Sequence, residues 1–170
     1  MRNTGIVRRL DELGRVVIPK EIRNVLRLRE GEQIEIFMQD ETLTLRKYSR
    51  LGEGFEEVEK LCQTLKKSTK SQVFAVDSSR FVFSTVEGLV GEDAAEIILE
   101  TMEKRKATVA EEVKMSEKRK VTMATLYVAP IVACGDLYGA LMIGGDNIDE
   151  EQKKLCDFAV GFLAGCIENR

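Results

Sequence analysis

Histidine is missing from all 170 residues, and so is tryptophan. Without an imidazole, Ser-His-Asp and Cys-His nucleophile systems are excluded, as is any histidine general base. Cysteine occurs four times, as Cys62, Cys134, Cys156 and Cys166, and never as a CxxC pair. A structural zinc site would need all four thiolates at irregular spacings, so no metal and no cofactor are expected. Each cysteine lies in an otherwise apolar context, and the expectation is four reduced, buried thiols. Walker A and GxGxxG phosphate loops are absent. Asp and Glu together number 29, yet nothing singles out a catalytic pair, and no enzyme activity is expected. No apolar run approaches the length that spans a bilayer, and the chain opens with no apolar signal region. A cytoplasmic protein with no membrane partner is the expectation.

What is there is a charge asymmetry. Residues 2–29 carry eight cations (Arg2, Arg8, Arg9, Arg15, Lys20, Arg23, Arg27 and Arg29) against Asp11, Glu12 and Glu21. That is a net +5 in a chain whose total is −3, so the remainder carries −8. Such a split suggests a basic module that meets a polyanion, joined to an acidic module that does not. On charge alone a solvated cationic face fits equally well.

The basic module reads mostly as strand. Gly5 to Leu10 is short and β-prone, Gly14 ends a loop, and Arg15-Val16-Val17-Ile18 restarts the extended chain. Pro19 suits the first position of a short helix, with Glu21 in its first turn and Ile22, Val25 and Leu26 as an apolar stripe. "QIEIFMQDETLTLRKY" reads as a hairpin. A turn at Asp40-Glu41 sets Met38 opposite Leu43 and Ile36 opposite Leu45 on one face. About 50 residues of this kind, without disulfide or metal, bury little core alone, which points to an intertwined dimer.

"TGIVRRLDELGRVVIPKEIRNVLRLREGEQIEIF", followed by "LTLRKY", closely resembles the AbrB-type transition-state regulators, and "GRVVIPKEIR" is the densest part of the match. The resemblance covers residues 1 to about 48. It implies a mainly β swapped-hairpin barrel, dimeric, whose arginines line one face and grip double-stranded DNA. The matching positions here are Arg8, Arg15 and Arg23. Asn24 stands where the family has a further arginine, and Asn still hydrogen-bonds phosphate or base. From position and charge, Arg9 and Lys20 add lesser contacts, and for Arg27 and Arg29 solvated charges flanking a turn fit as well. Arginine suits such a face because its planar fork holds phosphate bidentately and stays charged. Few base readers on a barrel face imply relaxed sequence specificity.

Past Tyr48 the composition changes. Residues 51–54 are expected to link a first domain, 1–50, to a second, 55–170. "GFEEVEKLCQTLKKSTK" is an amphipathic helix with Phe55, Val58, Leu61, Cys62 and Leu65 on one stripe. Two strands surround Asp77-Ser78-Ser79-Arg80, a helix covers "GEDAAEIILETMEKRKA", and two longer strands meet at Cys134-Gly135-Asp136. A terminal helix carries Leu155, Phe158, Ala159, Phe162, Leu163, Cys166 and Ile167. That order makes an α+β domain around an antiparallel sheet. With "VAPIVACGDLYGALMIGG" it resembles a GAF domain, a fold that holds a small effector between sheet and helices.

The GAF resemblance implies that second domains pair, making a tetramer of two swapped dimers. An effector pocket would be lined by Phe74, Phe83 and Tyr127, although aromatics at strand spacing more often fill core. Together the two resemblances imply a nucleoid-associated transcription regulator, activator or repressor, of sporulation or stationary-phase genes. The alternatives are a small-molecule sensor with DNA binding as its output and an antitoxin-type regulator. An antitoxin should carry a flexible acidic peptide, whereas this chain continues into a second folded pattern.

Overall fold

The computed structural model describes residues 5–26, 28, 30, 34–49, 51 and 56–169. The chain divides into two compact units, Met1–Tyr48 and Ser49–Arg170. In the first unit, α1 (Lys20–Val25) is followed by an antiparallel hairpin of β1 (Ile34–Gln39) and β2 (Thr42–Lys47). Ile36 pairs with Leu45 and Met38 with Leu43, the register expected from the alternation. Asp40 turns the chain with φ +53°, a conformation that Asp tolerates better than most residues. One hairpin face covers itself. Arg46 lies 4.3 Å over the Phe37 ring and donates from Nε to Glu35 at 2.9 Å. The other face is bare, with Met38 81% exposed beside exposed Ile36 and Leu43.

Three expectations for this unit change. Gly5–Leu10 and Arg15–Ile18 form no strand among the described residues. A strand needs a hydrogen-bonded neighbour, and within one chain these segments do not join the β1–β2 sheet. Val7 and Val17 are correspondingly 90% and 77% exposed. Pro19 is the N-cap of α1 rather than its first residue, with ψ 148° and its carbonyl accepting from the Arg23 N–H at 3.0 Å. The expected helix stripe is uncovered too, because Val25 and Leu26 are exposed.

The second unit is an α/β/α sandwich. A five-stranded antiparallel sheet has the order β4-β3-β7-β6-β5. Its strands are β3 (Gln72–Val76), β4 (Phe81–Ser84), β5 (Thr108–Lys114), β6 (Thr122–Ala133) and β7 (Asp136–Gly145). Helices α2 (Glu56–Thr69) and α4 (Glu150–Glu168) cover one face, and α3 (Glu96–Glu103) with its flanking loops covers the other. The side-chain period of two divides the core. Val73, Ala75, Tyr127, Ala129, Leu141 and Ile143 pack with Val58, Cys62, Cys156 and Leu163 under the helix pair. Phe74, Val76, Leu126, Val128, Ala140 and Met142 pack with Ile98, Met102 and Met115 on the opposite side.

Strand β5 was not expected from the sequence. Its segment, TVAEEVK, is charged and largely exposed, as befits an edge strand that must not invite further pairing. Leu51, expected in a linker, is buried in the helix-pair cluster, while Phe55 lies outside the described residues. Of the cysteines, Cys62 and Cys156 are buried as expected and Cys166 partly so, but Cys134 is exposed. It sits at the β6–β7 turn with φ +49°, followed by Gly135 at +83°, so the hairpin turns it outward despite apolar neighbours in sequence. All four thiols are free.

Gln152 ties the start of α4 to the end of α2. Its side-chain oxygen accepts from the Asp149 N–H and its own N–H donates to Asp149 Oδ1, a capping box that starts α4. Its amide nitrogen then donates to the Thr69 carbonyl at 2.8 Å and to Ser71 Oγ at 3.2 Å, fastening the end of α2.

Two expected outcomes test this packing. Gly139, at φ +153°, has no room for a side chain: a Cβ there would overlap the Val76 carbonyl oxygen and lie 2.6 Å from Leu51 Cδ1. Gly139→Ala should cost about 3 kcal/mol and lower the melting temperature of the full chain by about 10 °C. An unchanged melting temperature would show that Leu51 and β3 yield instead. In thiol labelling at mildly alkaline pH, Cys134 should react first. Cys62 should stay protected in the folded chain, because burial, with the Glu59 charge adding to it, pushes its thiol up to about 12 and only the thiolate reacts.

Candidate nucleic-acid interface

The basic residues of the first unit are presented in three ways. Arg8 and Arg9 project from the extended segment and are exposed. Arg15 closes the turn at residues 11–15. Lys20, Arg23 and Asn24 all lie on α1 and are all exposed, and their i, i+3, i+4 spacing places them on one helical face. Only these three are brought together by a regular element. Pro19, buried beneath the start of α1, anchors that helix on the unit.

The turn that carries Arg15 is closed several times over. The Asp11 N–H donates to the Arg15 carbonyl and the Gly14 N–H to the Asp11 carbonyl, both at 3.0 Å. Gly14 takes φ +73°, which lets the backbone reverse without a side-chain clash. Asp11 Oδ1 accepts from the Leu13 N–H at 3.0 Å and the Arg15 N–H at 2.8 Å. Its second oxygen accepts from Arg15 Nε at 2.7 Å. The Arg15 backbone N–H and then its guanidinium hold the Asp11 carboxyl below the usual carboxylate range. Charge counting treats Asp11 only as an anion among cations. The signal that locates it is the spacing in "DELGR", an Asx-turn former followed by Gly and then Arg.

The three aromatic residues expected around an effector do not meet. Phe74 is fully buried on the α3 side, its ring edge-on to Phe81 with centroids 6.2 Å apart. Phe83 and Tyr127 are buried on the opposite side, under α2 and α4. The sheet register separates them. Phe74 pairs with Met142 and Met142 with Val128, whereas Tyr127 pairs with Ile143, which puts Phe74 and Tyr127 on opposite faces. Phe83 pairs with Ala75 and so lies on the Tyr127 side, while a bulge in β4 puts Phe81 on the other. Tyr127 ties the sheet to α4, donating its hydroxyl to Asp157 Oδ1 at 2.7 Å. Burial, and then the Asp157 carboxylate, raise its phenol well above the ordinary value.

Helix α4 shows apolar residues on two sides. Cys156, Ala159, Leu163 and Ile167 face the sheet. Leu155, Phe158 and Phe162 face outward, with Phe158 76% exposed. Beside them Gly161 and Gly165 have no atom within 4 Å of where a Cβ would stand. Among the described residues no group of histidine, cysteine and acidic side chains is placed to hold a metal. No described helix is long and apolar enough to cross a membrane.

Comparison with known proteins bears on both units. Residues 55–168 match the family model described as stage V sporulation protein T C-terminal, transcription factor. Residues 7–52 match the model of the antidote-toxin recognition protein MazE, a bacterial antitoxin. Over 177 aligned residues, 99% of each chain, the sequence is 36% identical to stage V sporulation protein T of Bacillus subtilis (strain 168). Over 48 residues it is 54% identical to transition state regulatory protein AbrB of the same organism, covering 28% of this chain and 50% of that one. Among solved structures, the GAF domain of a two-component sensor histidine kinase from Bacillus halodurans superposes with TM-score 0.50 at 13% identity, covering 66% of this chain and 94% of that one. The fold is therefore an AbrB-like unit followed by a GAF-like α+β unit with an antiparallel sheet. With one family model spanning most of the chain and a relative matching nearly all of it, the chain belongs to the stage V sporulation protein T family of transcription factors and is a DNA-binding transcription regulator.

Proposed function

We propose that the regulator grips duplex DNA as an intertwined dimer of its first unit, through Arg8, Arg15 and Arg23 of both chains, with Arg9, Lys20 and Asn24 adding contacts. The observation that carries this reading is the incompleteness of the unit as a single chain. Two β-prone segments lack a ladder within it, the apolar side chains of Val7, Val17, Met38 and Leu43 stand in water, and Arg8, Arg9, Arg15, Lys20 and Arg23 of the same unit are exposed. Burying each such side chain gains about 1.5–3 kcal/mol. A second copy that pairs its own extended segments with these would satisfy the backbone and the apolar faces together. It would also double the positive surface.

The second unit joins such dimers into a tetramer through α4. A symmetric contact brings the same patch of two copies together, and the stripe of Phe158 and Phe162 flanked by two glycines permits a close helix approach. A folded second unit, where an antitoxin would carry a flexible peptide, supports the regulator over the toxin-neutralising alternative. Sporulation or stationary-phase genes are the proposed targets, and association with the nucleoid follows from relaxed sequence specificity.

Fluorescence anisotropy of a ~30-base-pair duplex with the full chain, over a salt series, tests the DNA face. If about six phosphates are neutralised, the log–log slope should be roughly −5. Arg15→Ala should weaken binding to every duplex alike and flatten that slope by about 1 for each phosphate it no longer neutralises. A loss confined to one sequence would assign Arg15 to base readout, and no wild-type binding at low salt would leave the cations a solvated surface. For assembly, sedimentation of the wild type should give a tetramer and Phe158→Glu a dimer. A tetramer that persists in Phe158→Glu would move the second interface away from α4.

A further inference from the structure

We infer that Asp11, although an anion within a DNA-binding surface, strengthens DNA binding by positioning the Arg15 guanidinium. The inference rests on the proposal that Arg15 touches DNA. Its basis is the division of labour between the two carboxylate oxygens. Oδ1 is held by two backbone N–H groups of its own turn, from Leu13 and Arg15. The main chain on either side is closed by the Asp11–Arg15 and Gly14–Asp11 hydrogen bonds. The carboxylate therefore has a fixed place, and Oδ2 is left to hold Arg15 Nε at 2.7 Å.

A guanidinium has five N–H donors in a rigid fork, and Nε supplies only one of them. Pairing at Nε leaves both terminal nitrogens free to take two oxygens of a phosphate, the arrangement in which arginine binds most strongly. The Arg15 side chain is 71% exposed, so that end of the fork faces solvent. An arginine without a buttress loses rotamer freedom when it binds, whereas one already held loses less. Asp11 stays ionised wherever DNA binding is measured, because the Arg15 bonds keep its carboxyl low.

The opposite role is also physical, and the two differ in sign. If Asp11 were merely a nearby negative charge, or a decoy occupying Arg15, removing the charge would raise DNA affinity. If it positions the guanidinium, removing the charge lowers affinity even though the protein becomes more positive. Asp11→Asn separates these cases. Its side-chain oxygen can still accept from the Leu13 and Arg15 N–H groups and keep the turn, but its NH2 cannot accept from Arg15 Nε.

The experiment is anisotropy of the ~30-base-pair duplex with full-length wild type, Asp11→Asn, Arg15→Ala and the double variant, with melting curves as a fold control. Asp11→Asn should weaken binding by about two- to fivefold while melting like wild type, and should have no effect in the Arg15→Ala background. Should Asp11→Asn melt early, Asp11→Ser, whose hydroxyl also supports such a turn, takes its place with the same expectation. Tighter or unchanged binding by a folded Asp11 variant, with Arg15→Ala still weak, overturns the positioning role and leaves the Arg15 contact standing. An Asp11→Asn loss that persists without Arg15 also overturns it. Arg15→Ala binding like wild type would instead overturn the Arg15 contact itself, and the positioning role with it.

Discussion

An extended backbone is only half of a structure until its N–H and C=O groups meet a partner, and that requirement divides this chain in two. The second unit meets it internally. Each of its strands has a neighbour in the five-stranded sheet, and both faces of the sheet are covered. Among the described residues, the first unit does so only in the β1–β2 hairpin. Its segments at residues 5–10 and 15–18 have no ladder there, and Val7 and Val17 on them are exposed. Water can satisfy the exposed backbone of a single chain, so it is the exposed apolar area, which a second copy would remove from water, that supports the proposed assembly.

Charge is distributed along the same division. Cations are concentrated in the first unit, which is also the unit proposed to pair with a second copy. The cations are not presented equally. Those on α1 are placed by helix geometry, whereas Arg15 is placed by a turn closed through Asp11. An acidic residue within a basic surface can thus belong to its working geometry, since a charge fixed to the backbone can orient its neighbour.

The hairpin register, α2, the two long strands β6 and β7 and α4 were all legible in the sequence: the hairpin and the helices carry a clear apolar period, and β6 and β7 carry continuous apolar runs that are buried on both faces. Strand β5 was not, since an edge strand carrying Glu111, Glu112 and Lys114 looks like a solvated segment. The grouping of Phe74, Phe83 and Tyr127 failed for a different reason. The register of β3 against β7, and of β7 against β6, puts Phe74 and Tyr127 on opposite faces, and register arises from pairing between strands rather than from any strand alone. The exposed thiol of Cys134 belongs to the same class of feature, decided by which way a hairpin turns.

The basic N-terminal stretch, its resemblance to DNA-binding regulators and the α+β order of the second unit are local properties, written in composition, spacing and period, and the sequence by itself determined them. The tertiary structure alone decided which aromatic residues share a face, why position 139 admits only glycine, and that Asp11 holds Arg15. Those depend on atoms brought together by chain reversal and strand pairing, and such proximity has no signature in the one-dimensional order of residues until the fold creates it.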